Sequence, residues 1–267
     1  MNKQDFKVTI NTFFWLLWRN VRALRKEFLN QWIDLAILSS SITIIYAYIL
    51  PAVGLASSYG LFVMLAQVAS SCVWVIQGES SKIVTDLEGP KVISYELTLP
   101  LPYWVIYIKT ACEYAIKTML LNILNIPLGI LLLWGKIDWT QLSVGKFILI
   151  YPLICIFFGF FCLFTAVYAK GIVSFGRFWM RWGAQLFLFS GAFFSWYTLY
   201  GLSKLFARIN LLNPLIYPFE AIHIPLMGQA GFINFWLCVL AIIIFTILFA
   251  FIGIRIFKRK LDCVAGE

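Results

Sequence analysis

Long apolar runs alternate along this chain with short polar stretches. A helix that crosses a bilayer needs about 20 mostly apolar residues, and runs of roughly that length occur six times. We predict spans at Ile33–Leu50, Tyr59–Ile76, Tyr103–Leu133, Phe147–Ala169, Gly183–Leu199 and Phe232–Phe257. The third run is long for a simple span, so its first turns are expected to emerge from the membrane. The pattern predicts an all-α integral membrane protein with six transmembrane helices.

The first 29 residues have a different, amphipathic pattern. On a helical wheel one face is apolar and the opposite face is cationic, with Arg19, Arg22 and Lys26. The apolar face carries Phe6, Ile10, Phe13, Leu17, Val21, Leu24 and Phe28. Such a helix is expected to lie in the plane of the inner membrane interface, either as a plain anchor or as a gating element that a cytoplasmic partner moves.

The segment 78–103, between the second and third spans, is the most polar inner segment. It carries four acidic residues, and Gly89-Pro90 divides it into two short pieces. The acidic residues are Glu79, Asp86, Glu88 and Glu96. The segment is expected either to contain a short cytoplasmic helix that docks on a partner or to be a solvated loop.

A third irregular segment, 200–231, lies between the fifth and sixth spans. Its stretch "LNPLIYPFEAIHIPLMG" is apolar but contains three prolines, Glu220 and the single histidine of the chain, His223. Non-helical backbone at membrane depth is tolerated only against protein or a water-filled cavity. We therefore predict a re-entrant helical hairpin that enters from the outer face, turns near Pro218 and places both ionisable groups at an outer mouth.

Composition and charge support the membrane assignment and orient the chain. Hydrophobic residues make up 62% of 267 positions and charged residues 12%, whereas soluble domains are about half apolar and a quarter charged. With both termini placed in the cytoplasm, fifteen Lys and Arg residues fall in inner segments and four in outer loops. The net charge of +9 is therefore an orientation signal, and no nucleic-acid partner is expected. We expect a single membrane domain over residues 1–267.

Few residue patterns indicate catalysis. The stretch at Gly129–Ile137 only approximates a phosphate-binding loop, because its glycine spacing is wrong and it lacks the hydroxyl residue. Glu220 and His223 have the Glu-x-x-His spacing of di-iron bundles, but no second histidine accompanies them. No G-x-S-x-G motif is present. We expect no metal site, no catalytic residues and no cofactor in this chain.

Ionisable residues inside spans are functional candidates because they are costly in a bilayer. Lys109, Glu113 and Lys117 follow one another at i, i+4 and i+8 in the third span. They form either an internal ion-pair ladder or a cationic entrance for an acidic head group. Aromatic residues near span ends are mostly interface belts, but a minority, with Tyr197 as the candidate, are of the type that stacks on sugar rings in a translocation path.

Two motifs, together with this order of elements, resemble the ABC-2 type permease, the membrane subunit of ATP-driven exporters. In "YELTLPLPYWVIYIKTA" the family's Leu-x-x-Pro and later Lys correspond to Leu97, Pro100 and Lys109. The family's Ser-Gly-x-Phe-Phe and Asn-Pro-Leu-x-Tyr-x-x-Glu-Ala are similar to "SGAFF" and "NPLIYPFEA" here. The matching positions are Ser190, Gly191, Phe193, Phe194, Asn213, Pro214, Leu215, Tyr217, Glu220 and Ala221, whereas Ser195 replaces the usual next proline.

The resemblance implies a homodimeric permease in a bacterial cytoplasmic membrane, in contact with membrane lipid. Two copies of a separate ATPase subunit would bind ATP and Mg and hydrolyse the ATP, and the acidic segment would contain the coupling helix. The path candidates are Lys109, Glu113, Lys117, Tyr197, Glu220 and His223. The substrate is expected to be a lipid-linked glycan, a similar lipid-headed molecule, or a hydrophobic drug or natural product. Two alternatives stay open: a proton-driven secondary transporter using Glu113 and Glu220, and a lipid-modifying enzyme centred on His223.

Overall fold

A computed structural model describes residues 3–56, 58–88, 102–137 and 139–265. Every regular element within these ranges is helical. The α-helices are α1 (Lys3–Leu24), α2 (Phe28–Ile44), α3 (Tyr59–Glu88), α4 (Tyr103–Ile123), α5 (Asn125–Leu132), α6 (Val144–Tyr168), α7 (Ile172–Phe178), α8 (Ala184–Leu188), α9 (Trp196–Leu202), α10 (Lys204–Asn210), α11 (Ile216–Met227) and α12 (Phe235–Ala265). A π-helical and a 3₁₀ turn extend α2 to Val53, and a π-helical turn (Trp179–Gly183) joins α7 to α8.

Five helices in the described ranges are long and apolar enough to cross a membrane. They are Phe28–Val53, Tyr59–Asp86, Tyr103–Leu132, Val144–Tyr168 and Phe235–Lys260. Each overlaps a predicted span, so five of the six predicted spans are confirmed as helices of this kind. The five helices fit a membrane-embedded protein.

The predicted fifth span, Gly183–Leu199, is not one helix. A continuous helical segment occupies residues 172–188 instead and is about 26 Å long. The chain turns after Leu188 with Gly191 at φ 93°, a conformation that favours glycine. Ser195 then caps the next helix through its side-chain oxygen, which accepts from the Thr198 N–H. Local turn chemistry therefore interrupts an apolar run that is long enough to cross a membrane.

The second span continues well beyond its predicted end. Helix α3 runs from Tyr59 to Glu88, so residues 78–88 of the predicted loop 78–103 are helical. Hydrogen bonds and an ion pair between neighbouring turns support this extension: Ser81 Oγ to Gly78 O, Thr85 Oγ1 to Ser81 O, and Lys82 with Glu79. Residues 89–101 of that loop lie outside the described residues.

The long helices run alternately up and down and form one basic end. Near this end Lys258 of α12 lies over the ring of Tyr103 at the start of α4, and Lys260 Nζ donates to Ala169 O at the end of α6. The C-terminal half of α3 and the start of α7 lie together at this end, with Lys82 and Arg177. We call the opposite end, where α3 begins, the far end.

Small residues let the central helices approach closely. Gly159 of α6 lies against Ala111 and Ala115 of α4 so tightly that a side chain at 159 would collide with the α4 backbone. This small-residue contact is a common way for helices to pack in membranes. Helix α3 is mostly buried at the centre of the bundle, whereas α2 and α12 expose broad apolar faces of the kind that suits lipid.

The predicted amphipathic helix is present as α1. Part of its apolar face packs against the rest of the chain, and part remains exposed. The apolar positions Phe13, Leu17 and Val21 are half-buried, and α1 packs on α4. Trp15 and Trp18 remain exposed beside that face. The sequence pattern therefore located the helix, but part of its apolar surface is used for packing within the chain.

Helix α11 shows how the proline-broken segment folds. The chain turns at residues 211–215, not at Pro218, which falls in the first turn of the helix where a proline removes no helical hydrogen bond. The Asn213 side-chain oxygen accepts from the Leu215 N–H just before the helix. Every residue from Ile216 to Leu226 is buried. The segment is thus part of the protein core near the far end.

Candidate functional site

Glu220, at the centre of α11, links this helix by hydrogen bonds to the start of α9 and to the segment before α12. The side chain is buried, and each carboxylate oxygen accepts one backbone hydrogen bond. Oε1 accepts from the Trp196 N–H at 2.6 Å, and Oε2 accepts from the Ile233 N–H at 3.0 Å. Trp196 begins α9, so the carboxylate satisfies an N–H that has no partner within its own helix and complements the positive end of that helix.

Two asparagines bind the end of segment 172–188 in the same region. Asn210 Nδ2 donates to Phe189 O at 2.9 Å, and Asn213 Nδ2 donates to Leu186 O at 2.7 Å. The last carbonyls of a helix have no intrahelical partner, so these amides compensate for the interruption of the apolar run. The two parts of the second permease-like motif, 190–194 and 213–221, meet at this turn, where Gly191 lies beside Phe219 and Glu220. The hydrogen bonds of Asn213 and Glu220 reach the residues that flank 190–194.

His223 is a packed core residue of α11. Its ring stacks on Phe62 with centroids 4.1 Å apart and on Phe232 at 5.3 Å. Nε2 lies 3.0 Å from Phe62 O, which makes this nitrogen the donor. The side chain is fully covered. Stacking and the hydrogen bond together fix α11 against the first turn of α3.

The structure places the predicted outer-mouth residues Glu220 and His223 inside the protein, and both side chains are buried. Helix α11 lies outside the five candidate spans. Burial raises the pKa of Glu220 to about 7, although its two N–H donors oppose this change. Burial lowers the pKa of His223 to about 4. The imidazole is therefore neutral near pH 7.

The three ionisable residues of α4 belong to two separate ion-pair groups. Lys109 Nζ lies 3.6 Å from Glu113 Oε2, which also accepts from Asn20 Nδ2 at 2.8 Å. Lys117 Nζ pairs instead with Glu79 Oε1 of α3, at 2.7 Å. The predicted ladder is thus confirmed for its first pair only. Glu113 of this pair also binds α1, because it accepts the hydrogen bond from Asn20.

The acidic candidates for ATPase coupling occupy different environments. The Glu79 side chain is only 13% exposed and is held by both Lys117 and Lys82, so it is an internal ion-pair partner. Asp86 is partly exposed on the last turns of α3. The side chain of Glu88 and all of Glu96 lie outside the described residues. Tyr197 is half-exposed on α9, with its ring 5.1 Å from Trp196.

A large groove, missed at the sequence level, runs between α3 and segment 172–188. Its volume is about 910 Å³, which is within the usual range for ligand pockets. Val73, Trp74 and Gln77 line it from α3, and Phe175, Trp179 and Phe187 line it from the opposite wall. We call this cavity the α3 groove. Trp74 meets Phe187 edge to face, with centroids 5.7 Å apart.

The α3 groove is apolar along most of its length and polar towards the basic end. Gln77, Gly78 and Ser81 line the polar part from α3, and Gly176 lies on the other wall. A Cβ atom at Gly78 or Gly176 would meet no other atom within 4 Å. These two glycines therefore keep the groove open, and no packing contact requires them.

A sequence signal for this groove does exist in "VSFGRFWMRWG" (173–183). Aromatic residues at 175 and 179 alternate with Gly176 and Gly183 at helical spacing, which places bulky and empty positions on one face. The opposing wall, from α3, is 100 residues away along the chain, so the sequence pattern shows half of the groove at most.

No protein-family model matches this chain, and no curated protein matches it.

Proposed function

We propose that this chain is the permease subunit of an ABC-2 type exporter and that the α3 groove receives its amphipathic substrate. The observation that carries the proposal is the groove itself. It is lined by aromatic and aliphatic side chains, and its polar residues lie at one end. A ligand with a hydrocarbon part and a polar head matches that distribution.

The elements around the groove support a transport role. Segment 172–188 forms one wall and ends in the turn that Glu220, Asn210 and Asn213 hold. The motifs that resemble the ABC-2 permease family meet at this turn. Segment 172–188 is held at its far end and contacts α3 through side chains. It is therefore suited to tilt as a unit when a partner moves the basic end.

The proposal includes a separate energy source. Two copies of an ATPase subunit, carrying ATP and Mg, dock on the acidic segment after Gly78, with Asp86, Glu88 and Glu96 as the residues of this segment that contact the ATPase. Glu79 transmits the movement to α4 through Lys117. The permease itself is a homodimer.

Location and substrate class complete the proposal. The basic end faces the cytoplasm of a bacterial cell because cationic loops stay on the inner side of the membrane. Both termini are then cytoplasmic. The substrate is a lipid-linked glycan or a similar lipid-headed molecule, with a hydrophobic drug or natural product as the second class.

The two alternatives receive less support from the side-chain environments. A proton path through Glu113 and Glu220 would need these carboxylates to line a common route, but Glu113 pairs at α1 and α4 while Glu220 is enclosed near the far end. An enzyme centred on His223 would need substrate access to the ring, and the His223 side chain is fully buried.

The test closes the α3 groove without disturbing the fold. In Gly176→Leu the added side chain enters open space, and replacing glycine in a helix favours helix formation by about 0.8 kcal/mol. Inside-out vesicles that contain the chain and its ATPase subunit are prepared, and a panel of fluorescent alkyl amphiphiles is added to the outside medium. We expect ATP-dependent uptake in the wild type and at least a tenfold loss in Gly176→Leu.

Gly145→Leu is the matched control. Gly145 is also helical, and a Cβ there also meets nothing within 4 Å, but it lies at the start of α6, away from the groove. Its uptake should equal that of the wild type. Equal uptake by Gly176→Leu, or wild-type uptake that continues without ATP or ATPase under a proton gradient, would refute the proposal.

A further inference from the structure

Segment 172–188 carries a polar stripe beside the wall of the α3 groove. Ser174, Arg177, Arg181 and Gln185 follow one another at intervals of three or four residues, which places them on one side of the segment, and Lys170 lies two residues before its start. All are exposed except Ser174, which is partly covered. Among the residues that the structure describes, no ion pair includes Arg177 or Arg181.

These arginines lie beside a helix that is apolar enough to cross the membrane. The segment packs along residues 73–81 of α3, which belong to the candidate span Tyr59–Asp86. A guanidinium without a carboxylate partner is costly next to lipid tails. An anionic group that lies against this face would remove the cost.

The α3 side of the groove contributes a second positive charge at the same end. Lys82 follows the groove residue Ser81, and its side chain is 62% exposed. Its partner Glu79 is shared, since Lys117 lies 2.7 Å and Lys82 3.1 Å from the same oxygen. One carboxylate facing two ammonium groups leaves this cluster with an excess positive charge.

Each of the two cations is the chain neighbour of a residue that lines the polar end of the groove. Arg177 follows Gly176 on one wall and Lys82 follows Ser81 on the other, and Gly176 and Ser81 both line the cavity. Gln77 adds a neutral amide to the lining on the α3 side. An arginine and a lysine beside an accessible cavity form a suitable site for phosphate oxygens, which accept charge-assisted hydrogen bonds.

We propose that the α3 groove binds an amphiphile with a phosphate-bearing head, whose head lies between Lys82 and Arg177 and whose hydrocarbon chain lies against Trp74, Trp179 and Phe187. The inference rests on the proposed function only in taking this ligand to be the transported molecule. Arg181, one turn further from the basic end, offers the head its next contact along the same face.

Binding is tested with two probes that share one tail. The full-length protein is placed in nanodiscs of phosphatidylcholine, and a fluorescent dodecyl phosphate or the matching dodecanol is titrated, with empty nanodiscs subtracted. The wild type should prefer the phosphate probe. Lys82→Gln and Arg177→Gln should each lower phosphate-probe affinity about tenfold, the usual size of one charge-assisted contact, and leave the alcohol probe within twofold.

Lys258→Gln is the matched control for general attraction to the basic end, since Lys258 is exposed there on α12, away from the groove. It should leave both affinities unchanged. An equal loss in Lys258→Gln, or equal binding of both probes by the wild type, would overturn the phosphate inference. The thermal midpoint of each variant confirms that it is folded.

Gly176→Leu separates this inference from the proposed function. If it removes binding of both probes while Lys82→Gln and Arg177→Gln change neither, the groove stands as the ligand site and the phosphate head is refuted. If Gly176→Leu leaves both affinities unchanged, the ligand does not bind in the groove and both proposals fail.

Discussion

Replacing Glu220 by glutamine should loosen the turn between segment 172–188 and α9. Glutamine is nearly isosteric but keeps only one acceptor oxygen, so one of the two backbone N–H groups, of Trp196 or Ile233, then faces an amide N–H. Losing one charge-assisted bond costs about 1.5–3 kcal/mol, and a buried unsatisfied donor costs about 1–3 kcal/mol. We expect destabilisation of about 3 kcal/mol or more.

The assay uses the chain's own buried thiols. Cys72, Cys155, Cys162 and Cys238 are buried and free, so a thiol-reactive fluorophore reports their exposure as detergent-solubilised protein is heated. At about 2 °C per kcal/mol for a chain of this size, the midpoint should fall by about 6 °C or more. The measurement is made at pH 8, above the raised pKa of Glu220.

An exposed glutamate supplies the control for this experiment. Glu27 lies at the surface between α1 and α2 and accepts one hydrogen bond from Gln31. Glu27→Gln should change stability by less than about 0.5 kcal/mol. A Glu220→Gln midpoint within 1 °C of the wild type would refute the view that the carboxylate holds these elements together.

Two further predictions also use thermal midpoints. The first uses the thiol assay at pH 8, and the second uses circular dichroism because thiols react poorly in acid. Glu79→Gln should lower the free energy of unfolding by about 3 kcal/mol, because it leaves the buried Lys117 without its partner. Lys117→Met should cost less, since Glu79 keeps its ion pair with Lys82, and the double variant should recover part of the stability lost in Glu79→Gln. Equal costs for the two single variants would contradict this. The pKa of His223 is about 4 in the folded protein, against an ordinary value of 6.5. Because protonation of the unfolded chain is then favoured in acid, this difference contributes about 3 kcal/mol of stability above pH 6.5, and the contribution is lost as the pH falls towards 4. The stability difference between wild type and His223→Phe should shrink across that window, and a constant difference would refute the assignment.

The sequence predicted the membrane helices well where hydrophobicity alone decides. The runs in α6 and α12 have mean hydropathies of 2.7 and 3.1, and each forms one helix that is long and apolar enough to cross a membrane. The sequence failed at residues 183–199, where the apolar run continues but Gly191 and Ser195 end one helix and start another. Average hydropathy does not register a single positive φ angle or a single capping oxygen.

The candidate site was predicted in part. Lys109 and Glu113 pair as their i, i+4 spacing suggested, because helical geometry alone brings such residues together. Lys117 pairs across to Glu79, 38 positions away in sequence, and helical spacing carries no information about which helix lies opposite. The same limit hid the α3 groove, whose two walls come from distant segments.

By itself the sequence determined that this chain is helical, located five helices that suit a membrane among the six runs it indicated, and showed that most Lys and Arg residues fall in alternate connecting segments. Length, apolarity and charge are properties of each segment alone. The tertiary structure alone decided that Glu220 and His223 are buried core residues, that Glu79 is an internal partner of Lys117, and that an open groove lies beside Lys82 and Arg177. Those outcomes depend on which helices pack together. Burial and pairing are properties of two or more segments, and they arise only when the chain has folded.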